Sequence, residues 1–139
     1  MGIKMKTWIL ALSTVVAFSS TAFANGYHCK EINSSNEQQV EVVVTERGDV
    51  TNTIPWGKDY DSVSSVKVQV YLNYDGQFAL IQEFQGLATT MDVIYTITSQ
   101  RKNGFAFRKY LDEDDQDYLV LKSANGQETE HQISCQYIY

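Results

Sequence analysis

Apolar and polar residues alternate along most of the chain after residue 25, and this period of two constrains the fold more than any other feature. Every second residue is valine from Val40 to Val44, and again from Val66 to Val70. Successive side chains of a β-strand point to opposite faces, so the pattern predicts strands with one buried face. No convincing helical segment follows residue 25. The sequence therefore predicts an all-β fold.

Three pairs of turn-forming residues separate these alternating runs. Asp75-Gly76, Asn103-Gly104 and Asn125-Gly126 each supply the positive φ angles that tight hairpins need. Short hairpins join antiparallel neighbours, so the chain is expected to form a small antiparallel up-and-down meander. Eight strands are predicted, near residues 27–32, 38–46, 64–72, 77–85, 91–100, 104–110, 117–123 and 128–138.

The alternation also predicts which side chains share a face. In the fourth expected strand, one face would carry Phe78, Leu80, Gln82 and Phe84. In the fifth, Val93 would face the same side as the branched and aromatic residues that follow it at every second position. Both faces are expected to be buried because they collect large apolar side chains.

The two cysteines after residue 25 stand at opposite ends of the expected domain. Cys29 lies in the first predicted strand and Cys135 in the last. An even pair in a chain that meets oxidising conditions indicates a disulfide, here closing a loop of about 105 residues. The alternative is a pair of free thiols, which would more often occur as C-x-x-C or with further metal ligands.

An even strand count makes the first and last strands antiparallel if the sheet closes on itself. A disulfide between them would join the two edges, which favours a closed eight-stranded barrel without exposed edges. The alternative is a two-sheet β-sandwich with the disulfide between sheets. A short additional strand near residues 50–54 would make the count odd and weaken the argument for the barrel.

The first 24 residues have the three parts of a secretory signal in order. Lys4 and Lys6 precede an apolar stretch from Trp8 to Phe18, and Ala22-Phe23-Ala24 is an A-x-A cleavage site. The apolar stretch is shorter than the roughly 20 residues of a spanning helix. We therefore expect a signal peptide at 1–24, a single β domain at 25–139, and secretion or a periplasmic location. A retained membrane anchor is the alternative.

Charge limits the classes of partner. Removing residues 1–24 takes away two lysines and no acidic residue, which leaves nine basic and 17 acidic side chains and a net charge of −8. Such a chain is not expected to bind nucleic acid or, once the signal is cleaved, an anionic membrane. A small ligand or protein partner remains compatible, and no cofactor is predicted. The charge would in any case favour solubility.

The longest predicted connection, from Arg47 to Val63, contains the only tryptophan of the expected domain. Long loops in compact domains often carry function. An exposed Trp56 with Tyr60 nearby could stack on a ligand or anchor a protein partner, so these two are the candidate binding residues. The alternative is that Trp56 folds back and plugs one end of the barrel.

A second connection is densely acidic. Asp112, Asp114 and Asp117 are weak candidates for metal ligands, because carboxylate oxygens suit Ca²⁺. The glycine and the distal glutamate of a calcium loop are missing, so the alternative is a solvated turn, and no metal site is predicted. The two histidines, His28 and His131, are expected on opposite sides of the sheet, which argues against a shared metal or catalytic site.

Catalytic signatures such as G-x-S-x-G, H-E-x-x-H and glycine-rich phosphate loops are absent from the sequence. The expected function is therefore an exported, non-enzymatic β-barrel that binds a ligand or a protein and could act as an inhibitor. Two alternatives remain open. One is a structural or assembly protein of the cell envelope with aromatics such as Tyr137 and Tyr139 in self-contacts. The other is a hydrolase that uses two carboxylates.

Overall fold

A computed structural model describes residues 25–32, 38–99, 104–112, 115–123 and 125–138. The expected signal peptide lies outside the described residues, so it stays a prediction. The elements are β1 (Gly26–Glu31), β2 (Gln38–Asp49), a single 3₁₀ turn (Gly57–Asp59), β3 (Ser62–Tyr74), β4 (Gln77–Met91), β5 (Ile94–Ser99), β6 (Phe105–Tyr110), β7 (Tyr118–Lys122) and β8 (Glu128–Ile138).

The eight strands form one closed antiparallel barrel in which each strand pairs with its neighbours in sequence. The predicted barrel is confirmed, and the alternative of a two-sheet sandwich is wrong. Residues 51–54 form turns and not an additional strand, so the strand count stays even. Successive connections alternate between the two ends of the barrel. We call the end with the β2–β3, β4–β5 and β6–β7 connections the Trp56 end. The other is the Asp75 end, with the β3–β4 and β7–β8 connections.

The disulfide lies on the seam where the barrel closes. Cys29 of β1 is directly opposite Cys135 of β8, with Cα atoms 3.9 Å apart, and the two sulfurs are bonded. The predicted pairing is confirmed. A disulfide of this kind is typical of oxidising, extracellular-type compartments. Within the described part of the chain, no helix is long and apolar enough to cross a membrane.

Side chains fill the barrel interior. Phe84 and Phe105 contact edge to face, with ring centroids 5.0 Å apart, and Tyr95 contacts Phe107 in the same way at 6.2 Å. Closely packed side chains therefore occupy the interior, as is usual for eight-stranded barrels of small diameter. The buried core consists of Tyr27, Cys29, Val40, Val42, Val44, Val66, Val68, Val70, Phe84, Ala88, Tyr95, Ile97, Phe105, Phe107, Leu119 and Ile133.

A β-bulge in β4 corrects the predicted faces of that strand. The register with β3 shifts between Val70 and Tyr71, and Ile81 is the additional residue on β4. A bulge offsets the period of two by one residue and moves the following side chains to the other face. Phe84 therefore lies in the core, whereas Phe78 and Leu80 lie on the exposed outer face. The prediction that Phe78, Leu80, Gln82 and Phe84 all share one face is therefore wrong.

A tight turn at Asp92 corrects the fifth predicted strand. β4 continues to Met91, and Asp92 adopts a φ of 55° before β5 begins at Ile94. Val93 consequently lies in the turn and is exposed, so its predicted place on the core face is wrong. The Asp75-Gly76 hairpin has the expected positive φ angles of 53° and 83°.

Candidate functional site

A cleft of about 510 Å³ opens in the barrel wall at the Trp56 end. It forms because β7 pairs with β8 only between Tyr118–Lys122 and Glu128–Gln132, while β8 continues to Ile138 against β1. Beyond Ile133, β8 therefore pairs with β1 alone among the described residues. We call this opening the Tyr27 cleft; its polar and aromatic lining includes Tyr27, Lys109, Gln116, Asp117, Ser134 and Tyr137.

A nearly buried ion pair lies in the Tyr27 cleft. Lys109 Nζ is 3.2 Å from Asp117 Oδ2, and the two side chains are only 14% and 11% exposed. Lys109 also lies over the ring of Tyr27, 5.6 Å from its centroid. The other oxygen of Asp117 accepts a hydrogen bond from the backbone N–H of Tyr110 at 2.8 Å. These contacts hold both charges in one geometry, because each has a partner.

Gln116 attaches the β6–β7 connection to β8 at the edge of the cleft. Its Nε2 donates to the carbonyl oxygen of Ile133 at 2.7 Å, and the Ile133 N–H donates to the carbonyl oxygen of Asp117 at 3.1 Å. The two hydrogen bonds continue the β7–β8 contact by one residue past the last ladder pair. They also mark the point at which the cleft begins.

Three tyrosines and a glutamate converge at the same mouth of the barrel. The ring of Tyr27 contacts the rings of Tyr95 and Tyr137 edge to face, each at 5.2 Å. Tyr95 donates a hydrogen bond to Glu46 at 3.2 Å. Burial, together with the negative charges of Glu46 and other nearby groups, raises the pKa of Tyr27 to about 12 and also raises the pKa of Tyr95. Both phenols are therefore uncharged in the folded protein at neutral pH.

These two pKa values predict a loss of stability at alkaline pH. A raised pKa in the folded state stabilises the fold below the ordinary tyrosine value of 10.0, and this contribution is lost as the pH rises from 10 towards 12. Absorbance at 295 nm should show a late tyrosinate phase that accompanies unfolding. Tyr27→Phe should reduce the amplitude of that phase, because it removes a phenol whose pKa is raised. An unchanged amplitude in Tyr27→Phe would contradict the assignment.

The connection that contains the predicted binding residues lies on the outside of the barrel. Trp56 is 42% exposed and contacts Tyr60 edge to face at 5.7 Å. Trp56 therefore does not plug the barrel, and the alternative considered from the sequence is wrong. The structure places Trp56 and Tyr60 together on an accessible surface at the same end as the Tyr27 cleft. That Trp56 and Tyr60 bind a ligand or a protein partner stays a prediction.

Residues 50–61 cover an outward-facing valine. Val63 is fully buried yet lies outside the barrel core. Its N–H donates to Thr51 Oγ1 at 2.9 Å, and its carbonyl oxygen accepts from the N–H of Val50 at 2.8 Å. Gly57 packs so closely that an added Cβ would lie 2.1 Å from the Thr51 carbonyl oxygen. The segment that carries Trp56 is therefore anchored, which favours a defined presentation of the Trp56–Tyr60 pair.

The candidate metal ligands are not brought together by the described residues. Asp117 points inward and binds Lys109, whereas Asp112 lies in an exposed turn. Asp114 lies outside the described residues. Within the described ranges, no group of three or more His, Cys, Asp and Glu side chains is arranged to hold a metal ion.

The two histidines lie on opposite faces of the sheet, as predicted, and each is paired with a glutamate. His28 Nε2 is 2.8 Å from Glu41 Oε1 on the outer surface. His131 Nδ1 is 2.7 Å from Glu31 Oε2 on the inward side, towards the Asp75 end. Burial raises the pKa of Glu41, but hydrogen bonds from His28 and Asn73 and nearby positive charge outweigh it, so the pKa lies below its ordinary value. Glu41 is therefore buried and ionised, and it connects His28 with Asn73 on the outer face.

Sequence reasoning did not single out Lys109 or Tyr27 as site residues, and it named Tyr137 only for self-contacts of an envelope protein. One signal was present: Lys109 follows Phe105 and Phe107 at every second position, so the alternation places a lysine on the core face. A charged residue on a core face needs a partner, and Asp117 at the start of the next strand can supply it. Comparison with known protein families, curated proteins and solved structures finds no match.

Proposed function

We propose that the protein is an exported, non-enzymatic binding protein that holds a small ligand or a short segment of a protein partner in the Tyr27 cleft. The observation that carries this proposal is the cleft itself, in which aromatic rings and a fixed ion pair converge beside open space. Concave sites with a few oriented polar groups are the usual form of a binding site. The signal sequence and the disulfide support an exported location.

The packed interior supports binding at the mouth and not inside the barrel. Below Tyr27 and Tyr95, the aromatic contacts of Phe107, Phe105 and Phe84 continue through the core. A ligand bound there would have to displace close-packed side chains at a cost of several kcal/mol. The Tyr27 cleft is open to solvent and requires no such rearrangement.

The chemistry of the cleft favours a neutral or positively charged occupant that offers hydrogen-bond donors. Lys109 is already paired with Asp117, so it contributes little free positive charge. Asp115 also lines the cleft, and the chain as a whole carries a net charge of −6. The faces of the Tyr27 and Tyr137 rings suit apolar or cationic groups. An anionic ligand is disfavoured by this arrangement.

Native mass spectrometry of protein purified without denaturation from its own secretory compartment tests the proposal. We expect a bound species whose additional mass disappears on denaturation, and the same spectrum reports the cleavage site and the disulfide. Tyr137→Ala should reduce the retained fraction at least tenfold. The matched control Tyr74→Ala removes a similarly exposed tyrosine at the other end of the barrel and should leave it unchanged.

A third variant distinguishes binding in the Tyr27 cleft from binding at the Trp56–Tyr60 pair. If Trp56→Ala abolishes retention while Tyr137→Ala does not, then the binding surface is the Trp56–Tyr60 pair and the cleft proposal is wrong. Trp56 fluorescence that shifts on release of the bound species would support that outcome. A bare chain in every preparation would count against a tightly held ligand at either place.

A further inference from the structure

Three connections at the Trp56 end are joined to one another by hydrogen bonds. The N–H of Asp61, in the β2–β3 connection, donates to the carbonyl oxygen of Thr90 at 2.9 Å. Asp61 Oδ2 accepts a hydrogen bond from the N–H of Asp92, in the β4–β5 turn, at 2.7 Å. The N–H of Leu111, in the β6–β7 connection, donates to the carbonyl oxygen of Val93 at 2.7 Å. These contacts join the three connections into one continuous surface.

Large apolar side chains are exposed along this surface. We call it the crown and define it by five residues that are between 36% and 44% exposed, namely Trp56, Tyr60, Met91, Val93 and Leu111. Leu111 also lines the Tyr27 cleft, so the crown borders the cleft. Aromatic residues and methionine are enriched where proteins contact each other, and a group of exposed apolar side chains with a polar rim is typical of an interaction site.

The exposed charges around the crown are mainly negative. Among the described residues of 47–61, 91–93, 111–112 and 115–117, six exposed aspartates stand against two exposed basic residues; the aspartates are Asp49, Asp59, Asp61, Asp92, Asp112 and Asp115, and the basic residues are Arg47 and Lys58. The charges of Lys109 and Asp117 compensate each other in their ion pair. A surface of this sign attracts positively charged partners and repels negatively charged ones.

We propose that the crown docks a positively charged protein, with an apolar patch of that protein against the crown and its lysine or arginine side chains opposite the surrounding aspartates. The apolar contacts supply most of the affinity, and the charges select the partner and speed its association. This inference deepens the proposed function, because it names the class of protein partner, and it rests on that function in treating the chain as a binding protein.

The same charges argue against two other occupants of the crown. A second copy would bring its own aspartates against those of the first, which is unfavourable at short range. A membrane surface rich in anionic lipid would be repelled in the same way, since lipid docking of this kind depends on clustered lysine and arginine. Both occupants are therefore competing outcomes of the test below.

The β2–β3 part of the crown is held in shape by its own main chain. The N–H of Gly57 donates to the carbonyl oxygen of Ile54 at 2.9 Å, and the N–H of Asp59 donates to that of Trp56 at 3.1 Å. The N–H of Tyr60 donates to the carbonyl oxygen of Gly57, also at 3.1 Å. A preorganised surface loses less conformational entropy on binding, which favours docking without rearrangement of the crown.

Photo-cross-linking in the protein's own compartment tests the proposal. A photoreactive phenylalanine analogue replaces Tyr60 in the crown or, as the control, Tyr74 at the Asp75 end; the two side chains are 36% and 49% exposed. We expect a discrete cross-linked protein from the Tyr60 position and none from the Tyr74 position. The sequence of that protein should give it a positive net charge, because the exposed charges around the crown are mainly negative.

Titration with the identified protein, purified separately, measures the apolar part of the contact. Met91→Ser combined with Val93→Ser should weaken binding about tenfold. Phe78→Ser combined with Leu80→Ser makes a similar change at exposed apolar residues of the other end and should leave the affinity unchanged. Within the described part of the chain, the lining of the Tyr27 cleft does not include Met91 or Val93, so these variants leave the cleft intact.

A second pair of variants measures the contribution of charge. Asp59→Asn combined with Asp92→Asn should weaken binding about fivefold and reduce its dependence on salt. Asparagine is compatible with the φ of 55° at Asp92. Glu128→Gln combined with Glu130→Gln neutralises two exposed carboxylates towards the Asp75 end and should leave the affinity unchanged. Equal effects of the two pairs would mean that binding follows net charge alone, and would overturn the proposal.

Other outcomes of the cross-linking would also overturn it: no cross-linked protein, equal yields from both positions, a protein of negative net charge, a second copy of the chain, or lipid. The cleft is tested separately by the species that Tyr137→Ala releases. A retained species in a chain that gives no cross-link at Tyr60 would support the proposed function and overturn this inference alone. Crown-dependent binding by a chain whose cleft is always bare would do the reverse.

Discussion

Replacing Cys29 and Cys135 together by alanine should lower the free energy of unfolding by about 4–5 kcal/mol in the chain-entropy account of disulfides. The bond links residues 106 positions apart and so restricts almost the whole unfolded domain. It also joins β1 to β8, the one strand pair that closes the barrel and connects its two ends in sequence. A domain of this size has a total stability of about 5–15 kcal/mol, so a large share would be lost.

Urea denaturation with and without reductant measures this effect. Reduction should lower the stability of the natural chain by about the same amount as the double substitution. The double-alanine variant is the control, because reductant should have no further effect on it. A change below about 1 kcal/mol on reduction would mean that the six residue pairs between β1 and β8 hold the seam without the covalent bond.

Lys109→Met should destabilise the protein by about 3 kcal/mol, at the lower end of the range for breaking a buried ion pair. The substitution removes the cationic partner of the nearly buried Asp117 carboxylate, which keeps its hydrogen bond from the Tyr110 N–H. It also removes the cation that lies over the Tyr27 ring. We expect the Tyr27 cleft to lose its shape, because Lys109 contacts both Asp117 and the Tyr27 ring across it.

A double variant and a surface control make the prediction specific. Lys109→Met combined with Asp117→Asn removes both charges and should recover most of the loss, which urea denaturation would show as non-additive free energies. Lys67→Met breaks the exposed pair with Glu83 and should cost less than about 1 kcal/mol. Additive effects of the two cleft substitutions would mean that the ion pair does not act as a unit.

Much of the architecture was predictable because it depends on local pattern. The alternating valines of β2 and β3 gave strands at the correct places, and Asp75-Gly76 gave a hairpin because few residues other than glycine, asparagine and aspartate adopt positive φ readily. Eight strands with Cys29 in the first and Cys135 in the last were enough to favour closure. These inferences needed only neighbouring residues and one long-range pair.

The candidate sites were less predictable because they depend on register. The bulge at Ile81 has no distinct local signature in a run of apolar residues, yet it places Phe78 and Leu80 on the exposed outer face. The Tyr27 cleft likewise arises where β7 stops pairing with β8, which no single segment encodes. Trp56 was correctly expected in a long connection, but its exposure followed only from how residues 50–61 pack over Val63.

The sequence by itself therefore determined the strand order, the hairpins and the disulfide, since period-two patterning, turn residues and two cysteines act over short distances or as a unique pair. Only the tertiary structure decided which residues meet across strands. Lys109 and Asp117 meet in the cleft because strand register brings β6 and β7 together there, and Phe78 is exposed because one bulge inverts its face. Register is a property of paired strands, so it appears only when the barrel is assembled.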